Sequence, residues 1–260
     1  MPDVEGLARR LDEAWTQRTT IAPPGAGGEL RSVEDAYAVQ QAWARRRLAG
    51  GDTRVGRKIG LTSAGMQRQM GVDEPDFGDL WASRRFEGPV VPVDRFIQPR
   101  VEGEVAFLME RDLRGPDVDA AAVLAAAAAA APAIEIVDSR IADWRITLVD
   151  TVADNASFGG FVTGAWSRDL LEADLPAVAF ELARGSEVVV AETGAAVLGS
   201  PLTAVAWLAR RLSGFGQGIA AGDVVLSGSF GGAVPAVAGD VFTLSTAGLP
   251  ALSLRFEVTA

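Results

Sequence analysis

Apolar residues recur at helical spacing near the start of the chain and in short, turn-bounded runs after it. Val4, Leu7, Leu11 and Trp15 lie three to four residues apart behind Asp3, which predicts an amphipathic helix over residues 4–18 with Asp3 as its N-cap. APPGAGG at 22–28 ends that pattern, and because its glycines follow two prolines and no strand, it reads as a linker and not as a dinucleotide loop. A second helix is expected from Ser32 through Ala36, Tyr37, Trp43 and Leu48, stopped by Gly50 and Gly51.

From Val55 the runs shorten. VVPV at 90–93, VEGEVAFLM at 101–109, IEIV at 134–137 and VVLSGS at 224–229 read as strands between Gly, Pro and Asp punctuation. DVDAAAVLAAAAAAAP at 117–132 has the best helix former at nearly every position and a closing proline, and predicts a packed helix. A further helix is expected over 201–212, with Ser200 as N-cap, Pro201 in the first turn and Gly214 as stop. AGD occurs at 221–223 and 238–240, each time ahead of a β-prone run. These patterns divide the chain into an N-terminal helical portion, residues 1–54, and a β-rich portion, residues 55–260.

Composition narrows the chemistry. The chain has 260 residues, 48% hydrophobic and 22% charged, with a formal net charge of −10, so it can bury a core and lacks the basic stripe that nucleic acid requires. It contains no cysteine and no histidine, which excludes thiolate or imidazole metal sites and every Ser-His-Asp or Cys-His arrangement. The N-terminal segment is charged where a signal peptide would be apolar, and the alanine run is too short and too weakly apolar to span a bilayer. The expectation is a cytoplasmic protein with no membrane partner.

Carboxylates are the strongest remaining candidates. In VEGEVAFLM, strand alternation sends Val101, Gly103, Val105, Phe107 and Met109 to one face and Glu102 and Glu104 to the other, roughly 7 Å apart along the backbone. An ExE in an exposed strand is as a rule a solvated face, whereas a buried pair must protonate or find a cation. Glu135, flanked by Ile134 and Ile136, is expected to point into the protein. Three oxygen ligands without His or Cys suit Mg²⁺ or Mn²⁺, with coordination positions left for water and substrate.

QPRVEGEVAF, then PAIEIVDSRIADW, then VDTVADNAS, together with GRKIGLTS at 56–63 and GVDEPDFG at 71–78, resemble the 2-hydroxypenta-2,4-dienoate (2-oxopent-4-enoate) hydratases of aromatic meta-cleavage pathways, within the fumarylacetoacetate hydrolase superfamily. The resemblance extends over most of the chain from about residue 30. It implies an α+β fold, a mixed β-sandwich or roll with peripheral helices, in which residues 55–260 form the metal-binding catalytic domain. It further implies Glu102, Glu104 and Glu135 as metal ligands, Lys58 and Asp76 as catalytic residues, and Lys58 and Ser157 as substrate-binding residues.

The substrate implied is a small 2-oxo or 2-enol carboxylate, the assembly a homo-oligomer, and the candidate partner a downstream aldolase or sister decarboxylase. Sister families on the same scaffold leave a 2-oxohex-3-enedioate (4-oxalocrotonate) decarboxylase as the alternative activity and a scaffold or binding subunit as the non-enzyme alternative. Where the family carries His-Pro after LG, this chain has Ser200 before Pro201, a residue that also suits a helix cap. Arg140 and Asp143 read as a local ion pair beside Glu135, Asp138 as structural in preference to a support for the metal site, and SGSFGG at 227–232 as a tight turn in preference to a set of backbone N–H groups for an anion.

Overall fold

The computed structural model describes residues 2–63, 67–68 and 74–259; Gly71, Val72 and Asp73 of the GVDEPDFG motif lie outside the described residues. Helix α1, Val4–Gln17, starts where Asp3 Oδ1 accepts from Gly6 N at 2.9 Å, and helix α2, Val33–Ala49, where Ser32 Oγ accepts from Asp35 N at 3.1 Å. Both are placed as the apolar spacing predicts. They meet through Trp15 and Trp43, whose rings lie edge to face at 5.7 Å.

Two sheets follow. The larger orders β2 (Asp76–Trp81), β1 (Arg54–Gly60), β9 (Val224–Leu226), β4 (Arg100–Met109), β5 (Ala127–Val137) and β6 (Phe158–Thr163), with β10 (Val234–Pro235) also paired to β4. The smaller orders β3 (Val90–Pro92), β12 (Leu252–Glu257), β11 (Val241–Thr246), β7 (Ala179–Arg184) and β8 (Glu187–Thr193). Within the larger sheet β1 and β9 run parallel while β4 pairs antiparallel with β9 and β5, so the sheet is mixed. The smaller sheet packs on β4 and β5. Gly103 marks the close approach: a Cβ there would stand 3.0 Å from Leu244 Cδ1 on β11.

The alanine run departs from its predicted helix. Only α3, Ala120–Ala126, is helical, and from Ala127 the chain is strand β5, with Ala129, Ala130 and Ala131 opposite Leu108, Phe107 and Ala106 of β4. Helix propensity favours alanine by at most about 0.7 kcal/mol per residue over ordinary residues, and the ladder bonds to β4 with burial of Ala127, Ala130 and Ala131 override it. Pro132 therefore lies inside a strand instead of closing a helix.

Helix α4, Leu148–Ala153, precedes β6, and the short helix α5, Arg168–Glu172, follows it. Gln40 of α2 donates to both Phe77 O of β2 and Val152 O of α4, tying the N-terminal helices to the sheet edge. Helix α6, Pro201–Ser213, is capped by Ser200 Oγ, which accepts from Leu202 N at 3.3 Å, and ends at Gly214. Ser200 thus serves as the helix cap that its position before Pro201 suggests. Among the described residues, no helix is long and apolar enough to cross a membrane.

Candidate metal centre

Antiparallel pairing sets Glu102 directly opposite Glu135, with Glu104 two residues further on the same face of β4. One oxygen from each of the three lies within 4.8 Å of the others. Glu102 is 7% exposed, and Glu104 and Glu135 are fully buried, so the solvated-face reading of ExE does not apply. The opposite face of β4 carries Gly103 against Leu244, which is what strand alternation predicts.

Burial, followed by the charge of Glu135, pushes Glu102 up to about 8, with Lys58 pulling the other way. Burial and the charges of Glu135 and Glu102 hold Glu104 well above the ordinary carboxylate range. Glu135 is raised by burial too, opposed by Lys58. Gly228 N donates to Glu104 Oε2 at 2.7 Å, yet Glu104 Oε1 and both oxygens of Glu135 have no hydrogen-bond partner among the described residues. Lys58 Nζ stands 3.2 Å from Glu135 Oε1 and forms a buried ion pair with it.

Buried acceptors are ordinarily satisfied, so the oxygens of Glu104 and Glu135 that lack hydrogen bonds, grouped with Glu102, suit a bound cation. An all-oxygen, anionic donor set fits a hard divalent cation such as Mg²⁺ or Mn²⁺.

Lys58 enters from β1, opposite Gly78 of β2. Burial draws its pKa down, but Glu135, Asp76, Glu102 and Glu104 more than reverse this, and the ammonium is held above its ordinary value. Nζ donates to Ala156 O at 2.8 Å. That carbonyl is presented by an unusual turn: Asn155, Ala156 and Ser157 are all left-handed, with φ of 54°, 51° and 53°. Left-handed backbone costs about 1–2 kcal/mol per residue outside glycine, so the turn must be held from outside.

Asn155 provides one hold, its Oδ1 accepting from Asp79 N at 2.7 Å and its Nδ2 donating to Asp79 O at 2.9 Å. Gly78 makes room, since a Cβ there would stand 2.5 Å from Asn155 O. Ser157 of the same turn has its Oγ 3.4 Å from Thr151 Oγ1 and 3.5 Å from Asp154 Oδ2.

Asp76 is buried opposite Gly60, where a Cβ would come within 2.2 Å of Oδ1. Burial pushes its carboxyl up to about 6, opposed by Lys58, and Oδ1 has no hydrogen-bond partner among the described residues. The structure thus joins Lys58 to the acid triad and to the turn that carries Ser157. Asp76 shares the charged surroundings of Lys58.

Arg140 does not pair with Asp143, which is exposed beside Arg145 at 3.6 Å. It pairs with Asp154: Nε to Oδ1 at 2.6 Å, and Nη2 to Asp154 O at 2.5 Å. The left-handed turn follows Asp154 immediately, so this buried pair is its second hold. Asp138 accepts from Ile97 N and Gln98 N, the structural role expected of it. Sequence reasoning missed Asn155 and preferred a tight turn to backbone N–H donors in SGSFGG, where Gly228 N in fact donates to Glu104. DNAS places Asn155 beside Ser157, and SGSFGG contains Gly228, but neither motif indicates which distant strand each would meet.

Residues 82–257 match the family model for the fumarylacetoacetate (FAA) hydrolase C-terminal region. The chain is 44% identical over 256 residues to a 2-hydroxyhexa-2,4-dienoate hydratase of Comamonas testosteroni, covering 97% of both chains. It is 46% identical over 253 residues to 2-keto-4-pentenoate hydratase 1 of Dechloromonas aromatica, covering 97% of this chain and 96% of that one. A solved structure of 4-oxalocrotonate decarboxylase from Pseudomonas putida G7, complexed with magnesium and adipate, superposes with a TM-score of 0.93 at 36% identity over 97% of each chain. These matches bear out the family and the fold read from the motifs, and with two sheets and a buried acid triad in one frame, the chain belongs to the fumarylacetoacetate hydrolase family.

Proposed function

We propose that the chain is a divalent-metal-dependent hydratase that adds water to 2-hydroxypenta-2,4-dienoate or a close analogue, giving 4-hydroxy-2-oxopentanoate. The carrying observation is the buried triad Glu102, Glu104 and Glu135 beside Lys58, with oxygens of Glu104 and Glu135 lacking hydrogen bonds, within a chain that matches named hydratases nearly end to end. The three glutamates would hold the ion, whose chemistry is Lewis-acid stabilisation of negative charge at the C2 oxygen.

In the balanced reaction the 2-hydroxyl loses a proton, C5 and C3 each gain one, and hydroxide from water joins C4. Lys58, kept as an ammonium by its carboxylate neighbours, binds the substrate carboxylate and orients it from Nζ. Asp76, with a carboxyl near 6, exists in both protonation states around neutral pH and can take or give a proton at Oδ1. Ser157 Oγ is a hydroxyl donor for substrate or water on the same turn that fixes Lys58.

Metal-stripped protein with and without Mg²⁺ or Mn²⁺ tests this against freshly generated 2-hydroxypenta-2,4-dienoate, followed by ultraviolet absorbance with products weighed by mass. Metal-dependent gain of one water is expected. Loss of CO₂ from 4-oxalocrotonate without hydration of the dienoate would replace this reading with the decarboxylase, and absence of metal binding would refute it.

A further inference from the structure

Trp15, near the end of α1, has three guanidinium groups around its ring, with Arg84 at 4.4 Å, Arg140 at 5.2 Å and Arg47 at 5.3 Å from the centroid. Two of these cations are matched by acids. Arg140 has Asp154, and Arg47 has Asp52 at 2.6 Å and Asp12 at 3.6 Å. Arg84 is 7% exposed, donates from Nη1 to Arg95 O at 2.8 Å, and forms no ion pair among the described residues. A buried cation without an acid is costly and ordinarily pairs.

An open cavity of about 260 Å³ lies beside it, lined by Trp15, Thr16, Arg18, Arg47, Arg84 and Arg95. Arg18 and Arg95 also lack a carboxylate partner among the described residues, and each donates to a backbone carbonyl, Asp94 O at 2.7 Å and Ser83 O at 2.9 Å. Four arginines therefore converge on one cavity, three of them without an ion pair among the described residues, in a chain whose net charge is −10. Burial, and after it the charge of Arg95, lowers the pKa of Arg84 to about 10, with Asp138 opposing, so the surroundings penalise this positive charge. Guanidinium forks approaching from different segments suit an oxyanion with several acceptor atoms.

We propose that this cavity binds a phosphate-class oxyanion, either inorganic phosphate or the phosphate group of a small metabolite, at a site separate from the acid triad. Its wall is Trp15, whose ring also stacks on Phe158 at 6.4 Å and contacts Arg140. The cavity therefore backs onto the pair that holds the left-handed turn, and not onto the triad itself.

Calorimetric titration of the metal-loaded protein with inorganic phosphate and with glycerol phosphate, at constant ionic strength, tests the site. Saturable binding of at least one is expected, and tighter binding of glycerol phosphate would point to a phosphorylated metabolite over free phosphate. A charge-assisted hydrogen bond contributes enough that Arg18→Gln with Arg95→Gln should weaken binding by roughly tenfold or more. Arg84→Gln should abolish it, while the double variant keeps phosphate-free turnover.

Binding of unchanged affinity in the double variant would place the anion elsewhere and overturn the proposal. So would the absence of saturable binding by either compound. Dissociation of an assembly by the double variant, seen in sedimentation, would instead make the cavity a contact between copies of the chain and would also overturn it.

Discussion

Glu135 and Arg140 are five residues apart and both fully buried, yet their surroundings are opposite. Around Arg140 the donors are engaged: Nε by Asp154 Oδ1, Nη1 by Phe158 O and Asp138 O, and Nη2 by Asp154 O. Around Glu135 one cation, Lys58 at 3.2 Å from Oε1, faces three acids, since Glu102 and Glu104 stand across the sheet, and Oε2 has no partner among the described residues. A buried charge satisfied by protein is framework, because removing a partner strands the other. A buried charge left unsatisfied by protein is where something else must bind. The two arrangements cooperate through residues 155–157, which Asp154 anchors and from which Ala156 O holds Lys58 beside Glu135.

The largest effect should come from Glu102→Ala combined with Glu104→Ala. Loss of Lewis-acid stabilisation worth several kcal/mol corresponds to a fall in turnover of roughly a thousandfold or more. The comparison demands a second result, that the metal-free variant melts no lower than the metal-free parent, because like charges have been removed from a buried site. A variant that loses activity only by unfolding in thermal denaturation would break the contrast.

Asp154→Ala should do the reverse. It leaves Arg140 charged and buried without its acid, at a cost of about 3–5 kcal/mol, read as a lowered midpoint in denaturant unfolding. A cost below about 1 kcal/mol, the range of exposed pairs, would mean that the pair is not framework.

Acidity should separate the clusters next. Glu102 titrates near 8 in the folded protein against 4.5 ordinarily, so the metal-free native state binds more protons than the unfolded chain between those values. Its contribution to stability is therefore largest at low pH and is lost as pH rises from about 4.5 to about 8. A divalent ion displaces those protons, so its affinity should rise with pH over the same window and its binding should restore the lost stability. Titration calorimetry in buffers of different ionisation enthalpy would detect the released protons, and pH-independent affinity would refute the raised carboxylates.

Much of this organisation is legible in the sequence because local rules suffice for it. Asp3, Ser32 and Ser200 cap helices as their positions suggest, and period-two alternation places Glu102 and Glu104 on one face. What was not legible depends on distant partners. Arg140 could be assigned to nearby Asp143 from sequence, but the chain turns through α4 and brings Asp154 to it instead. Asn155 gives no local sign that it will bond to both backbone groups of Asp79, at a strand edge far away in sequence.

The smallest predicted effect concerns β5, the strand that carries Glu135 to Glu102 and leads to Arg140. The alanine run changes from helix to strand at Ala127, so one substitution should have opposite signs on its two sides. Ala125 is exposed in α3, where valine loses side-chain freedom and should destabilise by about 0.5 kcal/mol. Ala129 is half-buried in β5 opposite Leu108, where a β-branched side chain should be neutral or stabilising by up to about 1 kcal/mol. Denaturant midpoints for Ala125→Val and Ala129→Val, each against the parent, decide the matter. Equal losses at both positions would mean that backbone state does not govern the run. Opposite signs would show that pairing with β4 imposes the strand, and thus the register that sets Glu135 opposite Glu102, against the intrinsic preference of alanine.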